Sequence, residues 1–448
     1  MMDQDLSWGE RALAGVGRMR EKDFDVRSRA SSLLLLLRGA YYTGETKWRV
    51  MAEEDLRALW RSGVHDHIGG GFFSASFDSE WLRPSFEKRL DDNAVLALLY
   101  TEAWESGHMP FYRDAAEEAL DFCLRELALP SGLFGAGRCA ADPGAEESPF
   151  LFTPAAIAET LGEEDGRHFA ECYDVTEEGN CGKGSIPNLL LNERWHLVPP
   201  GYDDVRERLR TVREQRAGIV TDTRVSLSWN ALLLAALAKA ARVFDDRRYL
   251  AEAEALCAAL AAAAETDSSG RAAAAFALTE LYTADFDPAH ITAAAKALAA
   301  PPRPAAERRG TAFSAESDRT LALLALAFDA LFSLTEKETW RTRRGEVLRE
   351  LTLHADRHGP ESLSGLCVLL SAARPERKLL CVAPSEERPE MLKSILTRYS
   401  PDLRVLLKTP QNAAALSEAA PWTARFPLAE RPVFHPCADG VWGEPIGL

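Results

Sequence analysis

No uninterrupted apolar stretch of this 448-residue chain approaches the ~20 residues of a membrane span; its longest run of leucine is Leu33–Leu37. There is no block of basic residues either, and 52 Lys+Arg against 68 Asp+Glu leave a net charge of −16. A field of that sign repels nucleic acid and anionic membrane, so neither is expected as a partner. Eight cysteines stand at 123, 139, 172, 181, 257, 367, 381 and 437, and no two form a Cys-x-x-Cys pair. That spacing excludes a local zinc ribbon or dithiol redox site. Met1–Trp8 is polar and acidic, so no secretory or transit signal is read there. The thiols are expected to be reduced and the location cytoplasmic. What remains is an ordinary globular balance, 46% hydrophobic and 27% charged, which names no activity.

Helical periodicity dominates what is present. Apolar residues recur at three- and four-residue spacing over 28–41, 48–62, 88–106, 112–128, 228–243, 248–264, 272–283, 289–299, 318–334 and 339–355. Gly and Pro punctuate the gaps, at Gly69–Gly71, Pro130–Gly132, Pro199–Gly201, Pro301–Pro304 and Gly359–Pro360. Helices paired by short loops describe stacked α-hairpins. The Ala-rich stretch 258–300 favours helix and suits close helix–helix approach. After residue 370 the pattern changes. Lys378–Ala383 and Leu403–Lys408 read as short buried strands around a helix at about 388–399, a β-α-β appendage. Residues 409–448 are rich in Pro and Trp with weak periodicity, and a loop-dominated tail is expected there.

Two clusters carry candidate chemistry. The first is His65-Asp66-His67-Ile68-Gly69-Gly70-Gly71-Phe72, followed by Asp78, Trp81 and Ser85-Phe86-Glu87-Lys88. Three glycines permit a tight turn or close approach of backbone to a ligand, and two imidazoles beside a carboxylate suit acid–base work. His-x-His is also how a metal site can begin, but no third ligand is fixed by spacing, so none is assigned. The plainer alternative is a glycine-rich loop with solvated histidines and a capping aspartate. The second cluster is Asp222–Ala231, in which Ser228 is placed to cap a helix and Trp229-Asn230 to stand in its first turn. A tryptophan beside an amide suits a sugar, ring against its apolar face and amide on its hydroxyls; a buried Trp with its N–H satisfied is the structural alternative. Asp91-Asp92-Asn93 reads either as paired carboxylates or as a solvated first helical turn.

Three stretches (His65–Phe72, Trp81–Ala94 and Val225–Leu233) resemble, in order, the spermatogenesis-associated protein 20 family. Phe152-Thr153-Pro154, Val175–Asn180, Leu281-Tyr282 and Phe286-Asp287-Pro288 extend the resemblance over most of the chain from about residue 28. Bacterial members are thioredoxin-domain proteins with a six-hairpin toroid, similar to N-acylglucosamine 2-epimerases and (α/α)6 glycosidases. The resemblance implies a mainly α fold: an (α/α)6 toroid over 1–370, with one or two hairpins shortened near 265–315 so that a complete and an incomplete ring are both open there, and a small α/β appendage over 371–448. It places His67, Asp66, Glu87 and Asp92 as catalytic candidates. Gly69, Gly70, Gly71, Trp81, Lys88, Asn93, Trp229 and Asn230 are the candidates for ligand binding.

The chain also departs from that family. No cysteine motif of a thioredoxin domain is present. Pro-His-Phe-Glu-Lys is replaced by Pro84-Ser85-Phe86-Glu87-Lys88, Tyr-Asp-Asn by Asp91-Asp92-Asn93, and an acidic Asp-Ala-Asp-Ser by Arg138-Cys139-Ala140-Ala141. Leu-Glu-Asp-Tyr-Ala falls on Ser268-Ser269-Gly270-Arg271-Ala272, and a Pro-Ser-Gly-Asn-Ser turn is lost near Ala315–Arg319. Glycoside hydrolysis needs two positioned carboxyls, and sugar epimerisation an acid and a base on opposite faces. The first expectation is therefore a non-catalytic toroid whose central cleft binds a sugar-like small molecule or a partner protein, with no cofactor. The alternatives are a carbohydrate epimerase, isomerase or hydrolase using His67, and a scaffold acting with a separately encoded thioredoxin-like protein. Gly69–Gly71 and Trp229 are expected at the same mouth of the toroid.

Overall fold

The computed structural model describes Leu13, Gly15 and residues 25–142, 148–197, 202–263, 268–299, 315–359 and 362–447. Helix starts follow local chemistry. Asp25 caps α1 (Val26–Thr43) by accepting the Ser28 N–H at 2.9 Å, and Gly44, at φ 74°, ends it before α2 (Thr46–Arg61). The second hairpin is α3 (Leu90–Gly107) with α4 (Pro110–Glu126), where Pro110 stands at a first-turn position that needs no N–H. A long connection then carries α5 (Pro154–Leu161), α6 (Glu163–Cys172) and α7 (Tyr202–Glu214). Regular hairpins resume with α8 (Leu227–Phe244) and α9 (Arg247–Ala262), α10 (Ser268–Asp285) and α11 (Pro288–Ala297), and α12 (Ala315–Thr335) and α13 (Glu338–His358), followed by α14 (Leu363–Ala372).

The inner helices close a ring. α1 packs on α3, α3 on α8, α8 on α10, α10 on α12, α12 on α14, and α14 returns to α1. The second helix of each hairpin lies outside its partner. This is the mainly α toroid expected, and the ring, whose completeness near 265–315 the sequence leaves open, is closed through α10 and α12. Residues 264–267 and 300–314, within the stretch expected to be shortened, lie outside the described residues. Alanine makes the tight wall. Ala272, Ala273, Ala275 and Ala277 of α10 are fully buried, so backbones approach closely. Helix α8 is the one described helix long and apolar enough to cross a bilayer, but 78% of that window is buried inside the protein as part of the ring.

Three short strands, β1 (Glu87–Arg89), β2 (Gly137–Ala140) and β3 (Ile219–Asp222), form an antiparallel sheet at the end of the ring where α3 and α8 begin. In the C-terminal unit β4 (Arg377–Val382) pairs in parallel with β5 (Leu403–Lys408) across α15 (Glu390–Leu396), as expected. The tail is a correction. After α16 (Ala413–Ala419), β6 (Val433–Ala438) pairs antiparallel with β4 and carries β7 (Val441–Trp442) and β8 (Ile446–Gly447) on its far side. Its alternation is interrupted by His435-Pro436, which hides a strand from a periodicity argument. Leu380, Leu406 and Phe434 share one apolar cluster with Tyr282 of α10 and Phe328 of α12, so the sheet is built onto the ring.

Candidate functional site

The glycine-rich turn between α2 and β1 is a buried structural knot. Asp66 is its centre: it accepts Lys88 Nζ at 2.7 Å, Arg213 Nη1 at 2.8 Å and the backbone N–H groups of Ile68 and Gly69 at 3.2 and 2.9 Å. Burial pushes the Asp66 carboxyl up, but Arg213 and Lys88 outweigh it and hold it well below the ordinary carboxylate range. Lys88 is fully buried, donates to the Gly70 carbonyl at 3.0 Å and lies 4.0 Å over the Phe122 ring. Gly70 and Gly71 have φ of +70° and +74°, and a Cβ there would stand 2.9 Å from the Glu118 carbonyl or 2.8 Å from Phe122. Here glycine serves close packing against α4. His65 sits 2.6 Å from Glu118, and His67 Nε2 is 3.2 Å from the Ser62 carbonyl oxygen. Burial, then the neighbouring His65, depresses the His67 pKa well below its ordinary value, so this imidazole is neutral.

Two asparagines repeat one device. Asn93, in the first turn of α3, accepts the Phe72 N–H at 2.7 Å and donates to the Phe72 and Arg89 carbonyls at 3.0 and 2.9 Å. Asn230, in the first turn of α8, accepts the Phe134 N–H at 2.7 Å and donates to the Phe134 and Ser226 carbonyls at 3.0 and 2.9 Å. Each amide pins the loop ahead of an inner helix to that helix, with its donors and acceptor spent. The cap of α8 is Ser226 rather than Ser228, and its hydroxyl accepts the Trp229 N–H. Gly71 and Trp229 do lie at the same end of the ring, but Gly70 and Gly71 face α4 and Gly69 faces Arg213 of α7, while the Arg89 guanidinium covers the Trp229 ring at 4.6 Å. Trp81 is likewise covered, by Arg29 at 5.2 Å, and Glu87 points to solvent from β1.

The central cavity lies elsewhere. It measures about 180 Å³, and all six inner helices contribute to it. None of the twelve residues singled out from the sequence lines it. Its wall is apolar, with Leu34, Leu98, Leu232, Phe276 and Leu323 prominent. Where the inner helices begin, Arg27 and Arg319 line the cavity and stand over Asp91 and Asp92. Arg27 meets Asp91 at 2.5 Å and Asp92 at 2.7 Å, and Arg319 meets Asp91 at 3.5 Å. Burial, then the adjacent Asp92, raises the Asp91 pKa to about 6. Where the helices end, Glu102 takes Arg38 at 2.6 Å and Lys239 at 2.9 Å, and Glu105 takes Lys239 at 3.4 Å and Arg242 at 3.3 Å. Leu396, Arg398 and Val405 of the C-terminal unit also line the cavity beside these groups. Sequence reasoning missed this charged layer. Its signal is present: Arg38, Glu102/Glu105 and Lys239/Arg242 interrupt helices that are otherwise apolar, the two pairs at i, i+3.

No family model matches this chain. It is 26% identical over 237 residues to mouse spermatogenesis-associated protein 20, covering 45% of this chain and 30% of that one. The human protein gives 26% over 234 residues, with the same shares. The chain is similar to spermatogenesis-associated protein 20. It spans about 30% of the length of these relatives. An uncharacterized Caenorhabditis elegans protein, itself uninformative about activity, is 24% identical over 238 residues, 46% of this chain and 33% of its own length. Among solved structures, a family 76 glycoside hydrolase (mannosidase) from Bacteroides thetaiotaomicron aligns with a TM-score of 0.36 at 13% identity, over 58% of this chain and 54% of its own. An α-1,6-mannanase of Salegentibacter aligns with a TM-score of 0.35 at 11% identity, over 79% and 77%. The resemblance to spermatogenesis-associated protein 20 read from the motifs is thus met by sequence similarity, and the arrangement of hairpins rests on the ring contacts themselves.

Proposed function

We propose that the toroid binds a small sugar-like molecule in its central cavity and does not convert it. The observation that carries this reading is the state of the cavity's carboxylates. Glu102 and Glu105 are each held by cations, whereas Glu280 of α10 is in no ion pair among the described residues. One available carboxyl is too few for two-carboxylate glycoside chemistry. The lining suits recognition instead. Glu280 and Arg398 offer polar groups to hydroxyls, and Phe276 with the leucines offers an apolar surface to ring C–H faces. Thermal unfolding against a panel of mono- and disaccharides, with and without divalent metals, tests it. One sugar class is expected to raise the midpoint, by about 2.7 kcal/mol of stability at a hundredfold excess over Kd. Leu98→Trp, which fills the cavity, and Glu280→Gln are expected to abolish that shift while leaving the helical circular dichroism intact. A flat response across the panel overturns the proposal.

The Asp91–Asp92 pair favours a second reading, a carbohydrate-active enzyme. A carboxyl with a pKa near 6 is suited to proton donation, and Arg27 and Arg319 would have to move aside for a substrate to reach it. Because its pKa is raised, Asp91 holds its proton below about pH 6, so turnover by this route should increase toward lower pH and vanish in Asp91→Asn. Product analysis of the best-binding sugar between about pH 5 and 8 decides it, and no product at any pH removes this reading.

A further inference from the structure

A second cavity of about 360 Å³ lies between the ends of α12 and α14 and the C-terminal unit, lined by residues of both. It is rich in guanidinium groups, with Arg341 and Arg344 from α13, Arg374 just after α14 and Arg404 from β5. Four carboxylates also line it, and three of them are engaged with groups other than these arginines. Asp402 is taken by Tyr41 Oη at 2.9 Å and Arg377 at 3.3 Å, and Asp439 accepts the Glu376 N–H at 2.9 Å. Glu376 pairs with Lys378 at 3.6 Å. Asp329 alone serves two crevice cations, Arg344 at 3.0 Å and Arg404 at 3.6 Å. The one carboxylate that Arg341 meets among the described residues is Glu338 at 3.5 Å, an exposed pair of little energetic weight, and its guanidinium lies 5.8 Å from the Phe332 ring centroid. Arg374 lies 5.6 Å from the Tyr42 ring centroid and has no carboxylate partner among the described residues.

A different observation points into the same space. Tyr42, Ser333 and Arg404 line this crevice, and their Oη, Oγ and Nε atoms are buried with no hydrogen-bond partner among the described residues; Ser333 is only 2% exposed. A buried polar group left unmatched is costly; the fourth such atom on this lining, Glu376 Oε1, faces Lys378 at 3.6 Å, and the other three are groups able to donate to an acceptor.

We infer that this crevice binds a small soluble phosphomonoester, its phosphate held by Arg341, Arg374 and Arg404 with the Ser333 and Tyr42 hydroxyls completing the shell. Guanidinium forks match phosphate oxygens two at a time, and donors arriving from separate elements suit a tetrahedral group better than a planar carboxylate. In a chain of net charge −16 these surplus guanidiniums are set against the overall balance. The crevice adjoins the central cavity, sharing Arg38, Leu326, Val368, Pro401 and Arg404 with it, but neither Leu98 nor Glu280 lines it.

Glycerol phosphate, titrated by calorimetry and thermal unfolding against sodium chloride of equal ionic strength, tests the inference. Saturable binding is expected that the chloride control does not reproduce. It should weaken about tenfold or more in Arg374→Glu, a change at a half-buried position, and about threefold in Ser333→Ala. Leu98→Trp should leave it unchanged. Absence of saturable binding, an equal effect of chloride, or equal binding by Arg374→Glu and Ser333→Ala proteins that still fold would each overturn the inference.

Discussion

The Asp66→Leu protein is expected to lose about 3–5 kcal/mol of stability, because removing one partner of a buried ion cluster leaves the others uncompensated. Lys88 and Arg213 are both at most 1% exposed and converge on this one carboxylate at 2.7 and 2.8 Å. Urea denaturation followed by circular dichroism measures the loss. Replacing all three charges by apolar residues, Asp66→Leu with Lys88→Met and Arg213→Met, should recover much of it, since the cost lies in stranded charge. The same group sets an acid limit. Its folded pKa is depressed, so its contribution is fully present above the unfolded value of about 3.9 and is lost as pH falls through the lower folded value. Wild type should therefore lose stability below about pH 4 more steeply than the triple variant. A stable Asp66→Leu protein would show that the turn is held by packing alone.

Glu102→Leu should cost a similar amount, about 3–5 kcal/mol, with a different local signature. Glu102 is held by Arg38 and Lys239, which keep its carboxyl below the ordinary range against the opposing effect of burial. Tyr399, just after α15, reaches the same carboxylate at 3.5 Å, and Arg242 donates to the Leu396 carbonyl. The layer thus ties three inner helices to the C-terminal unit. Hydrogen exchange in Glu102→Leu should rise first in α15 and β5, ahead of α4, which touches none of this network. Uniform exchange across the chain would mean that the layer is not a local tie.

The ten helices read from apolar spacing are all present, because a helix that buries one stripe in a double-walled ring must repeat every three or four residues. The misses have equally local causes. Helix α7 is charged on most of its surface and is held chiefly by Leu209 and two arginines, Arg206 on Glu118 and Arg213 on Asp66, so no apolar stripe announces it. Helix α14 is too uniformly apolar to show a face, with buried residues all along Leu363–Leu370.

By itself the sequence determined ten of the helices, the change of architecture after residue 370, and the residue types on which the protein's polar chemistry rests. It could not say which polar residues meet. His67, Asp66 and the glycines look like a ligand loop in one dimension, yet the Cβ space and ion pairs that make them a packing knot come from α4 and α7, up to 147 residues away. Conversely Arg38, Glu102 and Lys239 are isolated charges in apolar helices until closure of the ring brings them within 3 Å of one another's partners. A charge inside an apolar face is costly alone and tolerable when paired, and pairing across a closed ring is decided by tertiary structure.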